Sequence, residues 1–261
     1  MDGTRARLVA AVRELGIVAL LYIVYEVART FASGDLAKAV SRAIHLENVE
    51  RVLHLPGEHW LNRLATVHGW FGLVADYWYA SLHYVVTVAV LLWLYRRSRD
   101  VYVTARRALA LATVVALGFY ITMPTAPPRM LAGFTDVMAL HSGSGWWGAD
   151  ASAPKGLGGL TNELAAFPSM HAGWALWVAL AVWSTTRSRV LRGLGVFYAL
   201  GTAVVVIATA NHWGIDVLIG QAVVALSWIA VVLHANRARS GGVGRSRHET
   251  RRRGDADAAM A

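Results

Sequence analysis

Asn211-His212-Trp213-Gly214-Ile215-Asp216 opens onto Ile215–Leu233, an apolar run in which Asp216 is the only charged residue. A second polar-to-apolar junction, Pro168-Ser169-Met170-His171, heads the run Met170–Thr186. Both runs have about the length of a bilayer-crossing helix. A charged group at bilayer depth costs on the order of 3 kcal/mol, so ionisable residues found there mark function. Two imidazoles and one carboxylate at such junctions read as a reaction centre.

Apolar residues make up 56% of the 261-residue chain, above the ~45–50% of a soluble domain. The excess collects in runs of about 17–25 residues, enough to cross a hydrocarbon core of roughly 30 Å. The sequence predicts an all-α membrane protein with six transmembrane helices in one bundle: Leu15–Phe31, Phe71–Tyr95, Ala108–Met123, Met170–Thr186, Leu191–Ala210 and Ile215–Leu233. Arg5, Arg7 and Arg13 ahead of the first run mimic a signal peptide, but that run, Gly16–Ala32, is long and no convincing small-x-small cleavage site follows it, so it is read as a retained span. Residues 1–235 form the six-span catalytic domain, and 236–261 a disordered basic cytoplasmic tail drawn to anionic lipid.

The net charge of +9 is arginine charge, since Lys38 and Lys155 are the only lysines. Arg96, Arg97, Arg99, Arg106 and Arg107 follow the second span, Arg187, Arg189 and Arg192 the fourth, whereas the long segment after the third holds only Arg129 and Lys155. Basic residues mark cytoplasmic loops. Both termini are therefore expected in the cytoplasm of a multi-pass cell-membrane protein, with the 125–168 loop outside. This placement explains the basicity without a nucleic-acid partner. The segment after the first span carries Lys38, Arg42, Arg51 and Arg63 yet falls outside. Leu36, Val40 and Ile44 recur there at helical spacing behind a potential cap, Asp35, so an amphipathic helix in the interface plane is expected. Trp60, Trp70, Trp174 and Trp213 fall near outer span ends and Trp93 and Trp183 near inner ends, as in an aromatic belt. The chain has no cysteine, which excludes disulfide and thiolate chemistry. The 124–167 loop is long enough to suggest function, and its Phe134 and Trp146-Trp147 suggest docking.

His212 and Asp216, at i and i+4, share a helix face if the last helix begins near His212. The carboxylate can then accept the imidazole Nδ1–H, leaving Nε2 as a nucleophile. The same spacing also suits a helix-surface pair or two ligands of a two-histidine, one-carboxylate metal site. Pro168 favours a first helical turn, whose outward amides, Met170 included, suit phosphate oxygens. Ser169 adds a hydroxyl and His171 a proton donor, although an interfacial histidine can also merely cap or snorkel. Arg129, after Pro127-Pro128, offers a planar fork to phosphate or to lipid headgroups. Arg29 and His83 sit within spans and can reach the same phosphate, unless Arg29 simply pairs with Glu26.

Ala166-Phe167-Pro168-Ser169-Met170-His171 and Ala208-Thr209-Ala210-Asn211-His212-Trp213-Gly214-Ile215-Asp216 resemble the second and third motifs of the type-2 phosphatidic acid phosphatase superfamily. Pro124-Thr125-Ala126-Pro127-Pro128-Arg129 most resembles its inositol-phosphotransferase branch, which includes inositol phosphorylceramide synthases. The resemblance implies that His212 attacks phosphorus and becomes a phosphohistidine. It makes Asp216 its orienting group, His171 the acid, and Ser169 and Arg129 holders of the phosphate. It implies no metal and no cofactor. Thr122 and Val205-Val206 stand where the superfamily's phosphatases usually carry a motif lysine and a Ser-Arg pair. A thinner clamp suits a phosphodiester or a transfer reaction. The expected function is that of an integral-membrane lipid phosphatase or phosphotransferase acting on a phospholipid or lipid phosphate at the external face. The alternative is a non-enzymatic lipid-binding or lipid-transporting protein with a degenerate site. The sequence leaves the lipid, the acceptor and the oligomeric state open.

Overall fold

The computed structural model describes residues 35–55, 57–148, 155 and 163–258, and positions 9, 12, 16 and 23, with side chains described up to 237. Tyr22, Tyr25, Glu26 and Arg29 of the expected first span lie outside the described residues. The described chain is helical, with one isolated bridge between Thr125 and Ala165. The helices are α1 (Leu36–Val52), α2 (Glu58–Val67), α3 (Gly69–Tyr77), α4 (His83–Arg97), α5 (Arg99–Thr122), α6 (Val137–Leu140), α7 (Met170–Thr185), α8 (Arg189–Ala208) and α9 (Gly214–Ala258). A π-turn, Trp78–Leu82, joins α3 to α4.

Four helices are long and apolar enough to cross a membrane: Gly69–Arg97, Arg99–Thr122, Arg189–Ala208 and Gly214–Arg237. The expected fourth span forms as α7, whose 16 residues fall below that length. The expected third span starts earlier than its apolar run, at Arg99, and Arg99 and Arg106 lie over the Tyr102 ring.

Small residues set the packing of the bundle. In an apolar solvent helices gain little from hiding apolar surface and associate by close backbone approach instead. Ala105, Ala112, Ala175, Ala181 and Ala199 are buried around Leu94, Trp177 and Val224. Gly173 of α7 faces the Gly220 carbonyl of α9, and a Cβ there would lie 2.8 Å from that oxygen. Trp177 bridges α7 and α5 by donating to the Ala105 carbonyl at 2.7 Å.

α1 is a helix capped by Asp35, whose carboxylate accepts from Ala37 N and Lys38 N. Its protein-facing residues are Ala39, Ala43 and Glu50, whereas Leu36 and Ile44 point away from the protein. The described first part of the long loop, through Gly148, is docked. Trp147 is fully buried and donates to the Met138 carbonyl at 2.8 Å, and Phe134 stacks on His59 at 4.1 Å. The His141 Nδ1 meets the buried Asp76 carboxylate of α3 at 2.6 Å. Trp213 is not a belt residue: its ring is buried and donates to the Ala126 carbonyl at 3.1 Å.

Candidate active site

The turn between α8 and α9 carries Asn211, His212 and Trp213, all buried. The Val206 carbonyl accepts from both Asn211 N and His212 N at 3.1 Å, wrapping the chain over the end of α8. The wrap forces Ala210 to φ 57°, a left-handed conformation that costs an L-residue about 1–2 kcal/mol. Arg129 N donates to the Ala210 carbonyl at 2.9 Å, so the strained residue is held from the long loop.

His212 is oriented differently from the sequence expectation. Its Nδ1–H donates to the Ala166 carbonyl at 2.8 Å, while Asp216 Oδ2 stands 3.7 Å from the same nitrogen. The helix begins after His212, which places Asp216 in the first turn, where its Oδ2 accepts from Trp213 N at 2.8 Å. That reach-back is one half of a capping box. The tautomer is thus fixed by a backbone carbonyl, leaving the Nε2 lone pair free, and Asp216 acts at ion-pair range. Burial, with the Arg129 charge adding to it, pushes His212 down to about 4, so its imidazole is neutral at ordinary pH.

α7 begins at Met170, so Pro168 lies before the helix rather than in its first turn. Ser169 is the N-cap: its Oγ accepts from Ala172 N at 3.4 Å, and its N donates to the Asp216 carbonyl at 2.9 Å. The Ser169 hydroxyl is therefore first a cap, with its proton left to donate. Met170 and His171 follow as the first helical residues, with their amides at the helix's positive end.

Four rings meet above this turn. The His171 and His212 ring centroids are 5.7 Å apart, Tyr79 stacks on His171 at 4.3 Å, and His83 meets His171 edge-on at 4.3 Å. Tyr79 and His83 reach this point through the π-turn, a local widening often found at functional sites. His83 Nδ1 donates to the Tyr79 carbonyl at 2.9 Å, which fixes that ring in turn.

Arg129 is tied from two sides, its Nη1 donating to Asn211 Oδ1 at 2.7 Å and its Nε standing 3.4 Å from Asp136. His171, His212, Asp216, Arg129, Ser169, Met170 and His83 are thus brought together, and Arg29 is outside the described residues. Thr122 is turned away, bonded to the Gly118 carbonyl at 2.7 Å. Arg192 is engaged far below, with the Thr186 carbonyl at 2.8 Å.

Sequence reasoning missed Ala166, Asn211 and Tyr79 as site residues, and two glutamates as well. Gly214 N donates to Glu58 Oε1 at 2.8 Å, and Ile215 N to Glu50 Oε1 at 2.6 Å. The i, i+4 pairing of Tyr79 with His83 was the one signal available; a backbone carbonyl leaves none. Among the described residues no group of three or more His, Cys, Asp or Glu side chains forms a metal-ligating array. A family model described as the PAP2 superfamily matches residues 44–230. No curated protein and no solved structure matches the chain.

Proposed function

This chain belongs to the PAP2 superfamily, and we propose that it is a membrane lipid phosphatase or phosphotransferase working through a phosphohistidine at His212. The apolar helices fit a multi-pass membrane protein of phosphatase type. The observation that carries the proposal is the meeting of His212 and His171 at 5.7 Å beside the doubly tied Arg129.

In this reading one phosphoryl group sits between the two imidazoles. His212 Nε2 attacks phosphorus, the N–P bond forms, and the P–O bond to the lipid leaving group breaks. His171 gives that oxygen its proton. In the second half His171 takes a proton from water or an alcohol, whose oxygen attacks phosphorus and releases His212. Asp216, at 3.7 Å, steadies the positive charge that grows on His212. Arg129, the Ser169 hydroxyl and the Met170 and His171 amides hold the phosphoryl oxygens. His83 supports His171, and Arg29 is proposed to join from the first span.

The membrane arrangement is also proposed: six spans, with α7 the fourth and residues 15–31 the first, both termini cytoplasmic and the site external. α1 lies in the outer interface, a reading supported by Leu36 and Ile44, which point away from the protein. Residues 236–261 are proposed as the basic cytoplasmic tail; α9 continues into them through Ala258, where the sequence predicts disorder. The Pro127-Pro128-Arg129 turn and the absence of a second clamp cation at Thr122 and Val206 favour a phosphodiester and an alcohol acceptor, as in the inositol-phosphotransferase branch. The test is turnover of a panel of lipid phosphates and phosphodiesters by His212→Ala and His171→Ala. Each substitution is expected to abolish release or transfer; full activity in both would sink the mechanism.

A further inference from the structure

The N-terminus of α9 is capped by three carboxylates from three different helices. Trp213 N donates to Asp216 Oδ2 at 2.8 Å, Gly214 N to Glu58 Oε1 at 2.8 Å, and Ile215 N to Glu50 Oε1 at 2.6 Å. Glu50 is 1% exposed, Glu58 9% and Asp216 0%. A Cβ at 214 would lie 2.9 Å from Glu58 Oε1, so the Glu58 carboxylate would have to shift to admit one. A helix needs one such cap for stability, worth about 1 kcal/mol. Three buried acids at one end, adjacent to the candidate nucleophile, exceed that need and add mutual repulsion. Neither Glu50 Oε2 nor Asp216 Oδ1 has a hydrogen-bond partner among the described residues.

α2 carries a second tie to the same turn. Asn62 Nδ2 donates to the Ala208 carbonyl at 3.1 Å and to the Thr135 carbonyl at 2.8 Å, joining the end of α8 to the long loop. The α1–α2 pair thus grips both flanks of the His212 turn, α8 through Asn62 and α9 through Glu58 and Glu50. Neither helix is among the candidate spans.

We propose that Glu50 and Glu58 are positioning residues for His212, fixing from α1 and α2 where α9 begins and so where the imidazole stands. The inference rests on the reading of His212 as the nucleophile. Burial, the facing Glu58 carboxyl and the Asp216 charge hold Glu50 up at about 9. It is then a neutral acid at ordinary pH, which lets three carboxyls share one helix end. The groups facing it are Glu58 from α2 and Asp216 from α9. Losing its proton adds a further negative charge and pushes the cap apart. The positioning therefore weakens as pH rises toward 9.

The test uses the full chain in detergent with orthovanadate, which takes up the trigonal-bipyramidal geometry of phosphoryl transfer, and reads its Kd from tryptophan fluorescence alongside thermal unfolding. Glu58→Ala is expected to stay folded and weaken vanadate binding about tenfold or more, with Glu58→Gln, which keeps an acceptor, recovering most of the loss. Glu50→Gln cannot lose a proton, so its affinity should fall less than the wild type's between pH 7 and about 9. Wild-type vanadate affinity in folded Glu58→Ala, or identical pH profiles for wild type and Glu50→Gln, would overturn the proposal. The Glu50→Gln arm stands even if the alanine variant does not fold. His212→Ala serves as a separate arm: unchanged vanadate binding there would overturn the reading of His212 itself.

Discussion

Arg129 shows how one residue joins three parts of the site. Its guanidinium holds Asn211, its Nε faces Asp136, and its backbone N holds the strained Ala210. Its charge also bears on His212, which burial already pushes down to about 4 from a usual value near 6.5. The sign is definite: a nearby cation disfavours imidazolium, so removing it raises the pKa. In Arg129→Gln the acid limb of kcat/KM is expected to move to higher pH, with kcat/KM at its optimum falling about 10–100-fold, the worth of one charged hydrogen bond. A pH–rate profile checks both, and an unmoved acid limb would separate Arg129 from His212. The same depression makes folding stability decline as pH falls from 6.5 toward 4, since the unfolded chain binds the proton first. At this scale the sequence was legible for side chains that carry chemistry. His171, His212, Arg129 and Ser169 announced themselves by type and junction. The partner of His212 Nδ1 did not, because Ala166 acts through a carbonyl that every residue owns.

Between elements, the active site depends on how closely α7 and α9 approach. A Cβ at Gly220 would run into the Ser169 carbonyl oxygen, so that glycine lets the two helix starts touch. Overpacking of this kind costs about 1–3 kcal/mol. Gly220→Ala is expected to lower the thermal midpoint and to cost activity beyond the loss of folded protein, because Ser169 and Asp216 must separate. Gly118→Ala, with nothing within 4 Å of its Cβ, is the matched control and should be silent. Specific activity per folded molecule, measured for both, decides it. The described long helices were legible from hydropathy, with errors at the ends, whereas the short α2 was not. The apolar count started the third span at Ala108, whereas the chain is helical from Arg99, because a helix continues through charged residues that hydropathy scores as loop. The shared face of His212 and Asp216 was argued for a helix starting near His212, whereas α9 starts two residues later, at Gly214, with Asp216 in its first turn. Whether α9 starts before or after His212 is set by Glu50 and Glu58, residues far away in sequence.

For the whole molecule, arginine counting gives an orientation that a chain with no cysteine makes simple to test. Ser144, exposed in the long loop, and Arg187, exposed between α7 and α8, lie on opposite sides in the proposed topology. In intact cells Ser144→Cys is expected to react with a membrane-impermeant maleimide and Arg187→Cys only after permeabilisation; the reverse pattern would invert the protein and move its site to the cytoplasmic face. The bundle was legible because apolar length is a strong signal in a bilayer. The docking of the loop was legible only as a tendency of Phe134, Trp146 and Trp147, since the partners Asp76 and His59 belong to distant elements.

The central claim is that phosphorus becomes bonded to His212. It is tested most directly by mixing the purified protein with a phosphorus-32-labelled lipid extract, quenching in alkali, and locating label on peptides by mass spectrometry. The account predicts an alkali-stable, acid-labile label on the peptide carrying His212, absent from His212→Ala. Turnover without label on that peptide, or label that survives in His212→Ala, would contradict it.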